Sequence, residues 1–163
     1  MGDANMQFIK RFKPYIIGVL IVEAIGAISS WLTKAGVDRY IKTVIKPPLT
    51  PPSFIFPIVW GILFALMGIG VARIWLKPKS DDRTQSLFIF GLQLAVNVIW
   101  TLVFFNLQTF GIAFIIILLL LAFILLMILS FSKLDKLAAK LQIPYFLWVL
   151  FAAYLNISIF LLN

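Results

Sequence analysis

Long apolar runs alternate with short polar segments along almost the whole chain. An apolar run of about 20 residues crosses the hydrocarbon core of a bilayer as a helix. Five runs come near or exceed this length, at residues 15–32, 54–76, 86–107, 111–131 and 143–162. We therefore predict an all-α integral membrane protein in which residues 1–163 form a single domain, a bundle of five transmembrane helices.

The connection at residues 33–53 differs from the others because it is long and rich in proline. Pro47, Pro48, Pro51 and Pro52 lie close together in its second half. Each proline lacks an N–H group and restricts the residue before it, so this stretch does not form regular helix. We predict a stiff, extended loop that acts as the lid of a binding site, with the second span as one wall.

The composition supports a membrane protein and excludes several kinds of chemistry. Hydrophobic residues make up 63% of the 163 positions and charged residues 12%, whereas soluble domains average about 45–50% and about 25%. The chain has neither cysteine nor histidine. Disulfides, Cys nucleophiles, His bases and zinc or haem held by His or Cys are therefore excluded. We expect no metal site and no required cofactor.

The net charge of +8 is distributed unevenly across the predicted membrane. Ten of the 14 Lys and Arg residues fall on the side of the N-terminus, and four fall on the side of the loop at 33–53. Cytoplasmic segments are enriched in basic residues, so we predict a cytoplasmic N-terminus. The sequence does not identify the organism, and we take a bacterial plasma membrane as the expected location. Basic residues that flank membrane spans explain the positive net charge. We therefore expect the lipid bilayer as a partner and no nucleic acid.

The first apolar run allows two interpretations. Its basic start, apolar middle and small-x-small triplet Ala27-Ile28-Ser29 resemble a cleavable signal peptide. The run continues to Trp31, a residue typical of membrane interfaces, which favours a retained span.

Glu23 lies near the middle of the same run. An ionisable group inside a span is costly and is by default a functional-site hypothesis. The alternative is a protonated Glu23 that forms a hydrogen bond with a neighbouring helix.

Polar and aromatic residues recur at helical spacing on three spans, which places each set on one helix face. The sets are Phe56, Trp60, Phe64 and Met67; Gln93, Asn97 and Trp100; and Tyr145, Trp148, Ala152 and Asn156. An amide in hydrocarbon needs a partner, so we predict that the three amides face the bundle interior. One interpretation is helix–helix contact with aromatic filler. We favour a cavity beneath the loop for a flat, largely apolar ligand that stacks on tryptophan.

Two further features concern packing. Gly61 and Ala65 form a small-xxx-small step on the second span, which permits close approach of another helix. The fourth run consists almost entirely of Ile, Leu, Phe and Ala, and we predict that it is a lipid-facing scaffold.

Three blocks, in the same order, resemble the tryptophan-rich sensory protein/translocator protein family, once called peripheral benzodiazepine receptors. They are KPPLTPPSFIFPIVW at 46–60, QLAVNVIW at 93–100 and PYFLWVLFAAYLN at 144–156. The loop departs from the family pattern at Ile41 and Leu49. The cholesterol-recognition pattern is absent because no Lys or Arg follows Tyr154.

The resemblance implies a five-helix bundle, commonly dimeric, that binds porphyrins, sterols and benzodiazepine-type drugs in a pocket opening toward the first loop. It also implies a link to light-dependent porphyrin breakdown, with Trp60 and Trp148 at the matching tryptophan positions. Tyr145 shares the face of Trp148 and joins the candidate set. By matching position, the other candidate ligand-binding residues are Pro51, Trp60, Phe64, Asn97, Trp100, Trp148 and Ala152.

Three functions are then open, beside a role in assembly. The first, which we favour, is a homodimeric receptor or sensor for protoporphyrin IX, haem or another planar hydrophobic ligand. A tetrapyrrole would be held by stacking, polar contacts and the cationic loop. The second is degradation of bound porphyrin in light, with Trp60 and Trp148 as candidate catalytic residues. The third is proton-coupled drug transport that uses Glu23.

Overall fold

The computed structural model describes residues 2–163, with side chains from Phe12 onward. This part of the chain is 86% helical and contains no strand. Five helical segments are long and apolar enough to cross a membrane, which confirms the predicted fold class. The elements are α1 (Gly2–Thr43), α2 (Ile55–Trp75), α3 (Asp81–Thr101), a π-helical segment (Leu102–Leu107), α4 (Phe110–Leu134), α5 (Lys136–Lys140) and α6 (Ile143–Leu162).

Helix α1 is longer than the sequence pattern predicted. It continues to Thr43, so the first half of the predicted loop at 33–53 is helical and that boundary was wrong. The added turns pack on the π-helical segment, where Gly36 lies against Phe105 and Asn106. The connection without helix is therefore residues 44–54, which contain the four clustered prolines. We call it the proline loop, and the end of the bundle where it lies the loop end.

Helices α1 and α2 approach closely at two glycines. A Cβ atom on Gly18 would lie 2.5 Å from the carbonyl oxygen of Gly68. In the described part of the chain, no atom lies within 4 Å of the corresponding position on Gly61. The Gly61 step, which was predicted to permit close approach, is therefore not where α1 meets α2. The two helices meet two turns farther along, at Gly68.

Helix α4 is more than a lipid-facing scaffold. It packs against both α3 and α6, and its Ser130 hydroxyl is 2.5 Å from that of Ser86 on α3. Its opposite face is exposed and apolar, as expected for contact with lipid. The fully buried face consists of Ala113, Ile117, Leu120, Ile124, Met127 and Phe131.

Asp135 joins three elements at the opposite end of the bundle. Its carboxylate accepts hydrogen bonds from Arg73 on α2, at 2.9 and 3.1 Å, and lies 2.9 Å from Nζ of Lys77. It also accepts from the backbone N–H groups of Leu137 and Ala138, and so caps α5. Burial raises the pKa of Asp135, but the hydrogen bonds from Arg73, Lys77 and Ala138 hold that pKa well below its ordinary value.

Candidate functional site

Tyr145 lies at the centre of a buried polar network that joins α3 to α6. Its hydroxyl donates to Oε1 of Gln93 and accepts from Nδ2 of Asn97, each at 2.9 Å. All three residues are at most 3% exposed. The prediction that Gln93 and Asn97 face the interior is therefore confirmed, and each amide has a partner within the hydrocarbon layer.

Gln93 keeps part of its hydrogen-bonding capacity. Its amide nitrogen has the sulfur of Met67 as its partner, at 3.9 Å. A thioether sulfur is a weak acceptor. The network therefore keeps a buried donor without a strong acceptor, for which an oxygen would be a better partner than the thioether.

Asn156 forms a second buried polar contact, nearer the loop end. Its Oδ1 accepts from the indole nitrogen of Trp100 at 3.1 Å, and its Nδ2 donates to the carbonyl oxygen of Phe110 at 2.8 Å. Asn156 is fully buried, as predicted. Because the indole N–H of Trp100 is occupied, Trp100 offers a ligand its ring and no free donor.

Aromatic rings line the side of the network that faces α2. The ring of Trp60 lies 6.1 Å from that of Tyr145 and 5.3 Å from that of Phe64. Phe56, one turn before Trp60, lies 5.9 Å from Trp148 on α6. Trp60, Phe64 and Trp148 are half-buried, so part of each ring is available for stacking.

A cleft of about 400 Å³ lies between α2 and α6, beside these rings. Its lining residues Ile62 and Leu147 are 57% and 58% exposed, so it opens toward the face that lipid covers. Ala152 is half-buried and one helical turn beyond Trp148 on α6. The lining residues of the cleft are Val59, Ile62, Leu63, Pro144, Leu147 and Trp148.

The proline loop is fixed at its start by two sets of polar contacts. The backbone N–H of Ile45 donates to Oδ1 of Asn163 at 3.0 Å, and Nδ2 of Asn163 donates to the carbonyl of Ile45 at 3.1 Å. Nζ of Lys46 donates to the carbonyls of Ile41 and Val44 and lies 5.3 Å from the ring centre of Tyr40. Sequence patterns gave no indication of the Asn163 contact.

A second aromatic group surrounds Trp100 at the loop end. The ring of Phe104 lies 5.4 Å from Trp100, 5.5 Å from Tyr40 and 5.2 Å from Phe110. Tyr40 belongs to the unpredicted part of α1, which is why the sequence pattern did not place it here. In the sequence, the adjacent Phe104 and Phe105 were the feature that could have indicated this aromatic group.

The predicted site residues thus fall into four places. Trp60, Phe64, Asn97 and Tyr145 are linked by ring contacts and hydrogen bonds. Trp148 lines the cleft from α6, and Ala152 lies one turn farther along that helix. Trp100 belongs to the aromatic group at the loop end, and Pro51 lies half-buried in the proline loop. Among residues 12–163, no group of three or more His, Cys, Asp or Glu side chains is arranged to hold a metal ion.

Glu23 lies half-buried on α1, in the part of the chain predicted to cross the membrane. Within residues 12–163, its carboxyl has no hydrogen bond or ion pair. The hydrogen bond to a neighbouring helix that one interpretation required is therefore not formed with this part of the chain.

Comparison with known proteins matches the sequence of this chain to a family. Residues 18–162 match the model of the TspO/MBR family. The tryptophan-rich protein TspO of Chlorobaculum tepidum is 37% identical over 144 residues, 86% of this chain and 89% of that protein. TspO of Archaeoglobus fulgidus is 34% identical over 149 residues, 91% and 95% of the two chains. The translocator protein of Ovis aries is 34% identical over 120 residues, 72% and 71%.

Proposed function

This chain belongs to the TspO/MBR family, and we propose that it is a membrane receptor or sensor that binds porphyrins and other planar hydrophobic ligands. Protoporphyrin IX, haem and benzodiazepine-type drugs are the ligands of this kind that we expect. It is an integral membrane protein, and its bacterial relatives support a bacterial membrane. We propose in addition a homodimer whose N-terminus lies in the cytoplasm.

The contact between Trp60 and Tyr145 is the observation that carries this proposal. It places an aromatic stacking surface directly beside a buried polar network. A flat ligand with an apolar ring and an oxygen at its edge matches both features, since the ring stacks on Trp60 and the oxygen accepts from Nε2 of Gln93. Trp148 supplies aromatic surface on the other side, from α6.

The cleft beside these residues is large enough to admit such a ligand. Its volume of about 400 Å³ lies within the range of roughly 300–1,000 Å³ that ligands occupy in proteins. Trp148, a predicted ligand-binding residue, forms part of its wall. Binding between Trp60, Tyr145 and Trp148 requires no axial ligand from the protein, which fits a chain that has no His or Cys.

Binding is tested with protoporphyrin IX added in the dark to the full chain in detergent. We expect saturable quenching of tryptophan fluorescence, and a loss of affinity of about tenfold or more, or about 1.4 kcal/mol, in Trp148→Ala and in Asn97→Ala. Because Trp148→Ala also removes a fluorophore, the porphyrin absorption band is titrated in parallel.

Trp31→Ala is the matched control, because Trp31 is 73% exposed on α1 and lies outside the site. Its affinity should equal that of the wild-type protein. Quenching of the wild type that does not saturate, or an equal loss in Trp31→Ala, would reject the proposal.

A second function, proton-coupled transport of hydrophobic drugs, is favoured by Glu23, whose carboxyl lies in a predicted span and has no partner among residues 12–163. Ionisable groups inside membrane spans are typical of proton relays in transporters. In proteoliposomes with a pH gradient, this function requires drug efflux that disappears in Glu23→Gln. Efflux that is unchanged in Glu23→Gln removes it.

A further inference from the structure

We infer that hydrophobic ligands reach the site from the bilayer, through the cleft between α2 and α6, and not from water past the proline loop. This inference rests on the proposed function. The cleft opens toward lipid at Ile62 and Leu147, and its inner wall includes Trp148 and Leu63. Trp148 is itself a predicted ligand-binding residue, so a ligand that enters the cleft reaches the edge of the predicted site.

The two walls of the cleft are joined mainly by apolar contacts. Among residues 12–163, one hydrogen bond connects α2 with the start of α6, from Nε2 of Gln142 to the carbonyl of Leu66 at 3.4 Å. Along the cleft itself the contacts are between rings, Phe56 with Trp148 and Trp60 with Tyr145. Lipid tails are as apolar as these side chains, so lipid replaces such contacts at little cost when the walls separate.

The loop end is closed by polar contacts instead. Asn163, at the end of α6, exchanges two hydrogen bonds with the backbone of Ile45 at the start of the proline loop. Lys46 binds two carbonyls and the ring of Tyr40 within its own segment, which fixes the start of the loop on the end of α1. Moving the proline loop away from α6 breaks the Asn163 pair, whereas widening the cleft need not. Entry through the cleft therefore breaks fewer polar contacts than entry past the proline loop. It also starts in the bilayer, where a hydrophobic ligand accumulates.

The test separates binding rates from affinity, because a route affects rates and leaves equilibrium unchanged. The full chain is reconstituted in liposomes, and quenching by protoporphyrin IX is followed by stopped flow. In the double variant Ile62→Phe/Leu147→Phe, larger side chains fill the cleft. We expect the association and dissociation rates both to fall about fivefold or more, with a Kd within about twofold of wild type.

Three further variants make the result decisive. Ile62→Ala/Leu147→Ala widens the cleft and should raise both rates. The matched control, Leu118→Phe/Leu126→Phe, adds the same bulk to the exposed face of α4 and should leave both rates unchanged. Asn163→Ala releases the proline loop from α6 and should also leave them unchanged.

Association and dissociation rates equal to those of the wild type in both double variants of the cleft would overturn the inference. Faster binding in Asn163→Ala would also overturn it. A large rise in Kd in the filled variant would also overturn it, because the cleft would then be the binding position and not the route. Failure of the proposed function would appear separately, as the absence of saturable quenching by the wild-type protein.

Discussion

The indole nitrogen of Trp100 and the side-chain oxygen of Asn156 form a 3.1 Å hydrogen bond between two buried residues. Because Asn156 also donates to the carbonyl of Phe110, one amide connects α3, α4 and α6. Trp100 is only 6% exposed and Asn156 is fully buried, so the amide supplies the hydrogen bonds that these buried groups require.

Asn156→Leu should destabilise the protein by about 1–3 kcal/mol, because it leaves the Trp100 N–H and the Phe110 carbonyl buried without partners. The measurement is the free energy of unfolding in an SDS titration. Trp100→Phe removes the stranded N–H, so Trp100→Phe/Asn156→Leu should lose less stability than the sum of the single variants. Strictly additive losses would contradict the coupling.

Tyr145→Phe should lower stability by about 1–3 kcal/mol, because Gln93 and Asn97 then lose their shared partner in a dry interior. The ring remains, so stacking with Trp60 is kept and the loss of porphyrin affinity should be smaller than in Asn97→Ala. Thermal unfolding and porphyrin titration check the two parts. Tyr154→Phe, at an exposed tyrosine on the same helix, is the control and should change neither quantity; an equal loss there would refute the prediction.

Asp135→Asn should lower the melting temperature at pH 7, because Arg73 and Lys77 lose their anionic partner. The folded-state pKa of Asp135 lies below its unfolded value of about 3.9, so this stabilisation is complete above that value and is lost as the pH falls through the folded pKa. The difference between the two proteins in thermal melting should therefore shrink as the pH is lowered from 7 to 3. Asp82→Asn, at an exposed position, serves as the control. If the difference in melting temperature between wild type and Asp135→Asn grew toward low pH, the prediction would be contradicted.

Gly18→Ala should destabilise the protein by about 1–3 kcal/mol, because its new methyl group meets the backbone of Gly68 and forces α1 and α2 apart. Gly61→Ala adds the same group at a position where no described atom lies within 4 Å, and its stability should stay near that of wild type. Melting temperatures of the two variants, measured in one detergent, decide the point. Equal effects would mean that the two helices do not meet at Gly18.

Trp60→Phe/Trp148→Phe should abolish any light-dependent loss of bound protoporphyrin IX while sparing its binding. Phenylalanine keeps an apolar ring for stacking but is far harder to oxidise than tryptophan. The porphyrin absorption band is followed under illumination after binding has been confirmed in the dark. Trp31→Phe/Trp75→Phe removes two exposed tryptophans as the matched control, and equal degradation by the two double variants would exclude the site tryptophans as the agents.

The number of spans and the buried amides were predictable from sequence for the same reason. Hydrocarbon accepts long apolar helices and penalises polar groups without partners. The apolar runs therefore marked the five spans, and the amides of Gln93, Asn97 and Asn156 marked inward faces. Their individual partners, such as Tyr145 for Gln93 and Asn97, were not predictable, because they depend on which helices are neighbours.

By itself, the sequence determined the fold class, the positions of the five spans and the family, because each follows from properties carried along the chain. Only the tertiary structure decided that α1 continues to Thr43, that α2 meets α1 at Gly68 and not at Gly61, and that a cleft lies between α2 and α6. Hydropathy records whether each residue prefers lipid or water. It does not record which neighbour a side chain meets, since every apolar contact in a membrane competes with lipid of similar polarity.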